Sequence, residues 1–205
     1  MSIIDLSHPV NAATAPYPGD RAPVLVQTRW IAHDHYNAFT LTAGMHIGTH
    51  VDVPLHLQDH PLTVGEYPLE RFAGPGRVLR CAPRGLIVPD DSWLALGPGE
   101  IPLLYTGWDR HFGQADYFSG HPTLSPEASR FLVDRGVGMV VLDIPSPDRT
   151  PLTVHKELLG AGMLIVENAA HLEALLPLKK FTFMAMPLYL PTEASLVRAI
   201  AVTED

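Results

Sequence analysis

The sequence contains almost no cysteine, no run of basic residues and no long apolar segment. The single cysteine, Cys81, excludes an intrachain disulfide. It lies in the apolar run Val78–Ala82, which favours a small core residue over a nucleophile because nothing nearby would lower the pKa of its thiol. No stretch approaches the roughly 20 apolar residues of a membrane span, and the first residues lack the pattern of a signal peptide. These absences predict a soluble cytoplasmic protein that does not bind membranes.

Positive charge is also scarce. The chain has 14 basic and 22 acidic residues and a net charge of −8, and without a basic patch nucleic acid is not expected as a partner. Its 205 residues are 46% hydrophobic and 18% charged, which is an ordinary balance for a globular protein. The chain shows no repeat, low-complexity segment or linker, so we expect one domain over residues 1–205.

Short apolar runs bounded by Gly and Pro predict many strands and few helices. Strands are predicted at Ile3–Leu6, Val24–Ile31, Asn37–Thr42, Arg77–Cys81, Ile101–Thr106, Val137–Asp143, Met163–Val166, Phe181–Met186 and Val197–Val202. Helices are predicted from Ser125 to about Arg135, over Pro151–Leu159 and over Ala169–Leu176, with a short helical turn around Trp93. A mainly β amino-terminal half followed by alternating strands and helices indicates an α/β or mixed α+β single domain.

The segment from His46 to His56 carries the densest set of chemically active side chains: His-Ile-Gly-Thr-His-Val-Asp-Val-Pro-Leu-His. In a β-strand, alternate side chains point to opposite faces, so His46, His50 and Asp52 would share one face with Gly48. A helix would also bring His46 and His50 together, but the glycine, the β-branched residues and the proline argue against it. We therefore predict a strand with one chemical and one apolar face.

Two imidazoles and a carboxylate on one face are a partial ligand set for Zn²⁺ or Mn²⁺ and leave coordination positions open. The alternative is a chance clustering of polar residues, since the chain has 11 histidines. Other histidines, such as His33, His35 and His60, fit polar turns, and we assign them no function. His56 follows Pro54, beyond the predicted strand, and is a candidate proton shuttle because an unperturbed imidazole has a pKa near 6.5. Its alternative role is that of a further ligand.

The segment His46–His56 resembles the H-x-G-T-H-x-D-x-P-x-H motif of the cyclase family of metal-dependent hydrolases, which includes bacterial kynurenine formamidases and isatin hydrolases. Further similar segments cover nearly the whole chain: Tyr17-Pro18-Gly19-Asp20, Thr106-Gly107-Trp108, Asp143–Asp148, and His155–Leu159 followed by Glu167-Asn168. The resemblance implies a swivelling β/β/α fold.

The resemblance also implies a set of metal ligands. The positions that match His46, His50 and Asp52 bind one metal in the family, and those that match Asp52, His155 and Glu167 can bind a second, with Asp52 as the bridge. By spacing alone, His155 and Glu167 are a weak pair. The expected cofactor is therefore Zn²⁺ or Mn²⁺, with one or two ions per subunit, and the histidine that matches His56 has the acid/base role.

The chemistry implied is amide hydrolysis. A divalent ion lowers the pKa of a bound water from nearly 16 to about 7 and polarises a carbonyl oxygen. The resemblance implies that the substrate is an aryl formamide such as N-formylkynurenine, an intermediate of tryptophan catabolism. Its hydrolysis would release formate and an aryl amine. Thr106-Gly107-Trp108 and Glu167-Asn168 are more similar to the broad cyclase-like branch of the family than to its tryptophan-catabolic branch. The alternative is isatin-type ring opening, which uses the same polarised amide carbonyl, or another hydrolase reaction of the family. Tyr17 and Trp108 are the candidate substrate-binding residues.

Two further expectations concern assembly and class. Family members are commonly homo-oligomers, dimers or tetramers, in which loops of one subunit close the site of its neighbour. A metal-binding protein without turnover is the alternative from another class, and it would need a closed coordination shell. An acid/base histidine beside the ligands and a loop that carries Tyr17 and Asp20 as a lid favour the enzyme.

Overall fold

A mixed sheet of nine strands organises the chain in a computed structural model, which describes residues 1–59 and 62–203. His60 therefore lies outside the described residues. The strands of the described residues are β1 (Ser2–Asp5), β2 (Val24–Arg29), β3 (Ala38–Thr42), β4 (His50–Asp52), β5 (Ala73–Arg80), β6 (Leu86–Ile87), β7 (Ile101–Tyr105), β8 (Thr123–Leu124), β9 (Met139–Leu142), β10 (Leu164–Glu167), β11 (Thr182–Met184), β12 (Ala194–Leu196) and β13 (Ile200–Thr203).

The helices of the described residues are short and few. The α-helices are α1 (Ile31–Asp34), α2 (Tyr117–Gly120), α3 (Pro126–Asp134) and α4 (Thr153–Gly160). Single 3₁₀ turns occupy Pro54–His56, Val64–Glu66, Leu69–Phe72, Asp91–Ala95, Trp108–His111 and Leu172–Leu175. No helix among the described residues is both long and apolar enough to span a membrane. The expected mixed α/β class is confirmed.

The strand order in the large sheet is β1-β13-β11-β5-β7-β9-β10-β4-β12. Strands β5, β7, β9 and β10 run parallel, whereas β4 lies antiparallel between β10 and β12. Parallel strands are buried on both faces and are therefore apolar runs, as in β7, β9 and the first three residues of β10. The predicted edge strand at the amino terminus is confirmed, since β1 ends the order.

Alternation along the central strands separates two apolar layers. Leu103, Val141 and Val166 belong to one core, and their neighbours Leu104, Leu142 and Ile165 belong to the other. The second core includes Leu132 of α3 and Leu158 of α4, so these helices cover that face of the sheet. Helix α4 thereby lies over the same face on which β10 and β4 carry their polar residues, and this positions the site.

The predicted helix over 126–135 is confirmed in its start and its end. Ser125 accepts a hydrogen bond from the backbone N–H of Ala128 at 3.2 Å, and Pro126 occupies the first turn. Gly136, with φ +66°, ends the helix by a conformation that residues with a Cβ avoid.

The helix predicted over Ala169–Leu176 is wrong for most of its length. Only Leu172–Leu175 forms a 3₁₀ turn, because Asn168 and His171 both adopt left-handed backbone angles, φ 55° and φ 57°. Strand β12 is a second difference: the sequence predicts no strand at 194–196, although β12 pairs with β4 along its whole length. The functional strand is internal to the sheet, as predicted, but its neighbours β10 and β12 both come from the carboxy-terminal half of the chain.

Because the imidazole of His121 is buried, we expect the folded protein to lose stability in acid. Burial lowers its pKa to about 4, and the residue is only 2% exposed, whereas in the unfolded chain the pKa returns to about 6.5. Between these values the unfolded state binds one more proton, so the free energy of unfolding falls as the pH drops from 6.5 towards 4.

We expect His121→Gln to remove roughly 2 to 3 kcal/mol of this acid sensitivity. Urea unfolding at pH 7 and pH 4.5 would measure it, with the exposed His33→Gln as the control. Equal losses on acidification in wild type and His121→Gln would contradict the prediction.

Candidate metal centre and active site

Strand β4 presents His50 and Asp52 on one face, and the neighbouring strand adds Glu167 opposite His50. The register pairs Glu167 with His50 and Ile165 with Asp52. Because directly opposed residues on neighbouring strands point to the same side, the Glu167 carboxylate lies beside the two β4 side chains. His50 Nε2 is 3.3 Å from Glu167 Oε2 and 3.5 Å from Asp52 Oδ1.

His46 reaches the same site from a bend, and the prediction of a strand from residue 46 is wrong there. Residues 45–49 form bends, and Gly48 has φ +57°. A Cβ on Gly48 would also lie 2.6 Å from the side chain of Val10. The glycine therefore serves the turn of the chain and its close packing on the amino-terminal loop.

His46 nonetheless contacts the predicted partner. Its Nδ1 lies 3.0 Å from Asp52 Oδ1, and its Nε2 lies 3.3 Å from Glu193 Oε1. The structure thus brings together His46, His50 and Asp52, and Glu193 joins them from the segment before β12. Sequence reasoning gave Glu193 no role, because it lies outside every recognised motif.

Helix α4 supplies His155, which meets Glu167 across the helix-covered face of the sheet. His155 Nε2 is 3.1 Å from Glu167 Oε1, and His155 Nδ1 is 2.7 Å from Asp148 Oδ1. A carboxylate can only accept, so Nδ1 carries the hydrogen that Asp148 binds, and Nε2 faces the site. The other Asp148 oxygen accepts from the backbone N–H of Val154 at 2.7 Å, at the start of the helix. Asp148 therefore fixes both the helix and the ring.

A carbonyl fixes His50 in the same manner. His50 Nδ1 lies 2.9 Å from the carbonyl oxygen of Gly48, which also accepts from Asn168 Nδ2 at 3.0 Å. Asn168 Oδ1 in turn accepts a hydrogen bond from the hydroxyl of Tyr117 at 2.6 Å. This buried chain of contacts holds the Gly48 turn and directs Nε2 of His50 towards the carboxylates. The sequence placed Asn168 in a motif without revealing this contact.

The donor set fits a divalent metal ion. His50 and Asp52 are each 1% exposed, and His155 and Glu167 are 4% and 5% exposed. Within the described residues, His50 Nε2 and both carboxylate oxygens of Asp52 have no hydrogen-bond partner, which is costly for buried polar atoms. At this site, two groups of described residues have the spacing to hold an ion: His50 with Asp52 and Glu167, and His46 with Asp52 and His56. Asp52 belongs to both.

The electrostatics of the site favour a cation. Burial alone would lower the histidine pKa values, but the neighbouring carboxylates raise the pKa of His46 to about 9 and that of His155 to about 10. In the opposite sense, burial would raise the pKa of Asp52 and of Glu167, yet the surrounding histidines hold both below their ordinary values. The negative charge of the two buried carboxylates is therefore balanced either by protonated imidazoles or by a metal ion.

His56 lies at the edge of this group, on the 3₁₀ turn Pro54–His56 that follows β4. Its ring centroid is 4.2 Å from that of His46 and 6.1 Å from that of His155. Burial, the largest effect, lowers the pKa of His56, although the Asp52 carboxylate opposes this shift. His56 is half-buried, and carboxylates affect it less than they affect His46, His50 and His155. It is therefore the imidazole of this site best suited to exchange a proton.

A cavity of about 260 Å³ opens beside these groups. The lining includes His46, Asp52, His56, His155 and Glu167, together with Tyr17 and Asp20 of the amino-terminal loop. Pro145, Ser146, Thr150 and Leu152 complete the wall.

Trp108 does not line this cavity. Its ring is 4% exposed, stacks on His111 at 4.0 Å, and donates a hydrogen bond from Nε1 to the carbonyl of Tyr117 at 3.0 Å. Of the two aromatic residues singled out from the sequence, the structure places only Tyr17 beside the polar groups.

We expect Asp148→Asn to weaken metal binding and turnover by roughly 10- to 100-fold, the usual effect of removing a carboxylate that orients a ligand. The amide can present Nδ2 instead of an oxygen to His155 Nδ1, which would favour the wrong tautomer of the ring. Metal titration and steady-state kinetics would measure both losses. The matched control is Asp134→Asn, an exposed acid at the end of α3. Wild-type affinity and rate in Asp148→Asn would contradict an orienting role.

Comparisons with known proteins find relatives that match nearly the whole chain. The model of the putative cyclase family matches residues 4–149. A kynurenine formamidase of Salinibacter ruber is 30% identical over 210 residues, covering 98% of this chain and 97% of that protein. A kynurenine formamidase of Paracidovorax citrulli is 31% identical, and the match covers 97% of this chain and 95% of that protein. Among solved structures, isatin hydrolase A from Labrenzia aggregata, bound to benzyl benzoate, superposes with a TM-score of 0.89 at 25% identity, covering 99% of this chain and 94% of that one.

Proposed function

The chain belongs to the cyclase family, and on that premise we propose that it is a metal-dependent amide hydrolase resembling kynurenine formamidase. Kynurenine formamidase and isatin hydrolase both act on carbon–nitrogen bonds other than peptide bonds. The observation that carries the proposal is the convergence of His46, His50, Asp52 and Glu167 beside a cavity that all of them except His50 line, with buried ligand atoms left unpaired.

The residues that would hold the metal are His46, His50, Asp52, His155 and Glu167, with Asp52 shared when two ions are present. Imidazole and carboxylate ligands suit Zn²⁺ or Mn²⁺. When bound, such an ion supplies Lewis acidity towards an amide carbonyl and makes water a stronger acid. The protein's own contribution is to hold the imidazoles in one tautomer, through Asp148 and the Gly48 carbonyl, and to keep both carboxylates ionised.

His56 would protonate the leaving nitrogen. Its ring lies beside His46 and lines the cavity, so it can reach a substrate held there. A neutral imidazole can accept a proton from water and return it to the nitrogen as the carbon–nitrogen bond breaks. Tyr17, which also lines the cavity, would contact the aromatic part of the substrate, and the loop that carries Tyr17 and Asp20 would cover the site.

An aryl formamide of the N-formylkynurenine type is the substrate we propose, which would place the reaction in tryptophan catabolism. Two kynurenine formamidases at about 30% identity over nearly the whole chain support it. Isatin is the second candidate, favoured by the superposition with isatin hydrolase A. Both compounds present an amide carbonyl next to an aryl nitrogen, so the same wall of the cavity suits either. The proposed location is the cytoplasm.

The test is hydrolysis of N-formylkynurenine, followed by its absorbance change, with isatin in a parallel assay. Each assay uses the protein as purified, after chelation, and after Zn²⁺ or Mn²⁺ is restored. Turnover that disappears on chelation and returns with metal supports the proposal, and the better substrate decides between the two candidates. Absence of turnover on both compounds with metal bound would overturn it and favour the metal-binding protein without catalysis.

We also propose that the protein is a homo-oligomer in which the β2–β3 hairpin packs against a second subunit. The hairpin forms a separate two-stranded sheet, and such sheets are marginally stable alone. Its two faces both expose apolar side chains, with Val24 at 50% on one and Phe39 at 62% on the other. Exposed apolar area of this kind is typical of a protein interface.

We expect the double substitution Val26→Asp and Phe39→Asp to convert the oligomer into monomers, because charges would enter the buried interface. Light scattering coupled to size exclusion would report the mass. The matched control is Leu69→Asp, since Leu69 is 64% exposed on a different element. A monomeric wild type, or an unchanged mass in the double variant, would contradict the proposal.

A further inference from the structure

A second group of ligand-type residues lies outside the site described above: Asp109, His171 and Glu173. Asp109 belongs to the 3₁₀ turn that follows β7, and the other two stand at the start of the 3₁₀ turn that follows β10. Because β7 and β10 are parallel members of one sheet, the segments that follow them leave from the same edge. One ligand atom from each residue lies within 4.8 Å of the other two.

The carboxylate of Asp109 is buried and only half satisfied. The residue is 5% exposed, and its Oδ2 accepts a hydrogen bond from the backbone N–H of His171 at 3.0 Å. Its Oδ1 is buried and has no hydrogen-bond partner among the described residues.

Glu173 repeats the pattern. Its Oε2 is also buried and, in the part of the chain that the structure describes, lacks a hydrogen-bond partner. Two carboxylates that approach one another with unpaired buried oxygens are unfavourable in a folded protein unless a positive group joins them.

We propose that Asp109, His171 and Glu173 bind a divalent cation, separate from the metal centre built on Asp52. Two carboxylates and one imidazole suit Zn²⁺ or Mn²⁺, and water would complete the coordination. Ligand atoms on a tetrahedral zinc ion are about 3.4 Å apart, so the group closes around the ion by small side-chain rotations. His171 is exposed and Glu173 half-buried, which leaves both side chains room to move.

The ion would connect two loops that support the active site. Asp109 follows the Thr106–Trp108 segment, and His171 follows Asn168, whose side chain holds the carbonyl of Gly48. The cation would connect the segment after β7 to the segment after β10. Its role is structural, because none of its three ligands lines the cavity.

The test is the metal content of the full-length protein after equilibration with Zn²⁺ and removal of unbound ions, measured by elemental mass spectrometry and repeated with Mn²⁺. His171→Gln and Glu173→Gln each remove one ligand, and neither residue is in the catalytic group. We expect each variant to lose one ion per chain relative to wild type. His33→Gln, which removes another exposed histidine, should lose none.

A second readout isolates the new site. In an Asp52→Ala background, added Zn²⁺ should still raise the melting temperature, and the shift should be smaller when His171→Gln is added than when His33→Gln is added. This readout does not depend on turnover, so it is distinguishable from a failure of the proposed hydrolase activity. Equal metal content in wild type, His171→Gln and Glu173→Gln, or the same loss in His33→Gln, would overturn the proposal.

Discussion

Replacing Asp52 by alanine is expected to abolish turnover and to lower the amount of bound metal. Asp52 Oδ1 lies 3.0 Å from His46 Nδ1 and 3.5 Å from His50 Nε2, so this one carboxylate serves both imidazoles of the motif. It also belongs to both groups at this site that have the spacing for an ion. The loss should exceed the roughly 100-fold that follows removal of a residue that only orients a ligand.

Metal content by elemental mass spectrometry and hydrolysis of N-formylkynurenine measure the two effects together. Asp134→Ala is the matched control, because it removes an exposed acid at the end of α3. Circular dichroism would verify that Asp52→Ala is folded. Retained metal with full turnover in Asp52→Ala would refute the role of this carboxylate.

The alternation of the motif predicted the relation of His50 to Asp52 but not the course of the chain before them. Both residues lie on one face of β4, as the period of a strand requires. His46 contacts Asp52 for a different reason, because the Gly48 turn brings it back to the site. A glycine between alternating residues is compatible with a strand, and local alternation reveals neither its positive φ nor its close approach to Val10, which is distant in sequence.

Local sequence patterns could not predict the contacts between the two halves of the chain. Glu167 stands opposite His50 only because β10 pairs antiparallel with β4, and spacing does not reveal that register. The family resemblance, rather than periodicity, indicated His155 and Glu167. It gave no role to Asp148 or Glu193, whose contacts with His155 and His46 emerge only in three dimensions.

Strands and helices were predictable where burial dominates the sequence. Strands β7, β9 and β10 are apolar runs, and α3 has a cap and a terminating glycine. Strand β12 is a three-residue segment with a serine at its centre, too short for alternation to indicate. The failed helix after Asn168 has an apolar composition, but the left-handed angles at Asn168 and His171 serve contacts with Gly48 and Asp109 instead.

The second large effect is expected from His56→Ala, which should retain metal and lose roughly 10²- to 10⁴-fold in turnover, the usual contribution of a general acid or base. His56 lies on the turn beyond β4, and unlike His46 and His50 it forms no ion pair with a carboxylate within 4.0 Å among the described residues. Its removal should therefore leave the buried pair of carboxylates and their imidazoles in place. Metal content and kcat on N-formylkynurenine measure the two quantities.

The competing role of His56 is that of a ligand, since it also forms a group with His46 and Asp52 that could hold an ion. A comparison of aryl formamides whose leaving amines differ in basicity separates the two roles. If His56 protonates the leaving nitrogen, the loss in His56→Ala should shrink as the leaving amine becomes less basic, because a weakly basic amine departs with less help from an acid. His56→Gln, which keeps a hydrogen-bonding side chain without a titratable proton, should show the same trend. A uniform loss across the series together with reduced metal content would make His56 a ligand instead.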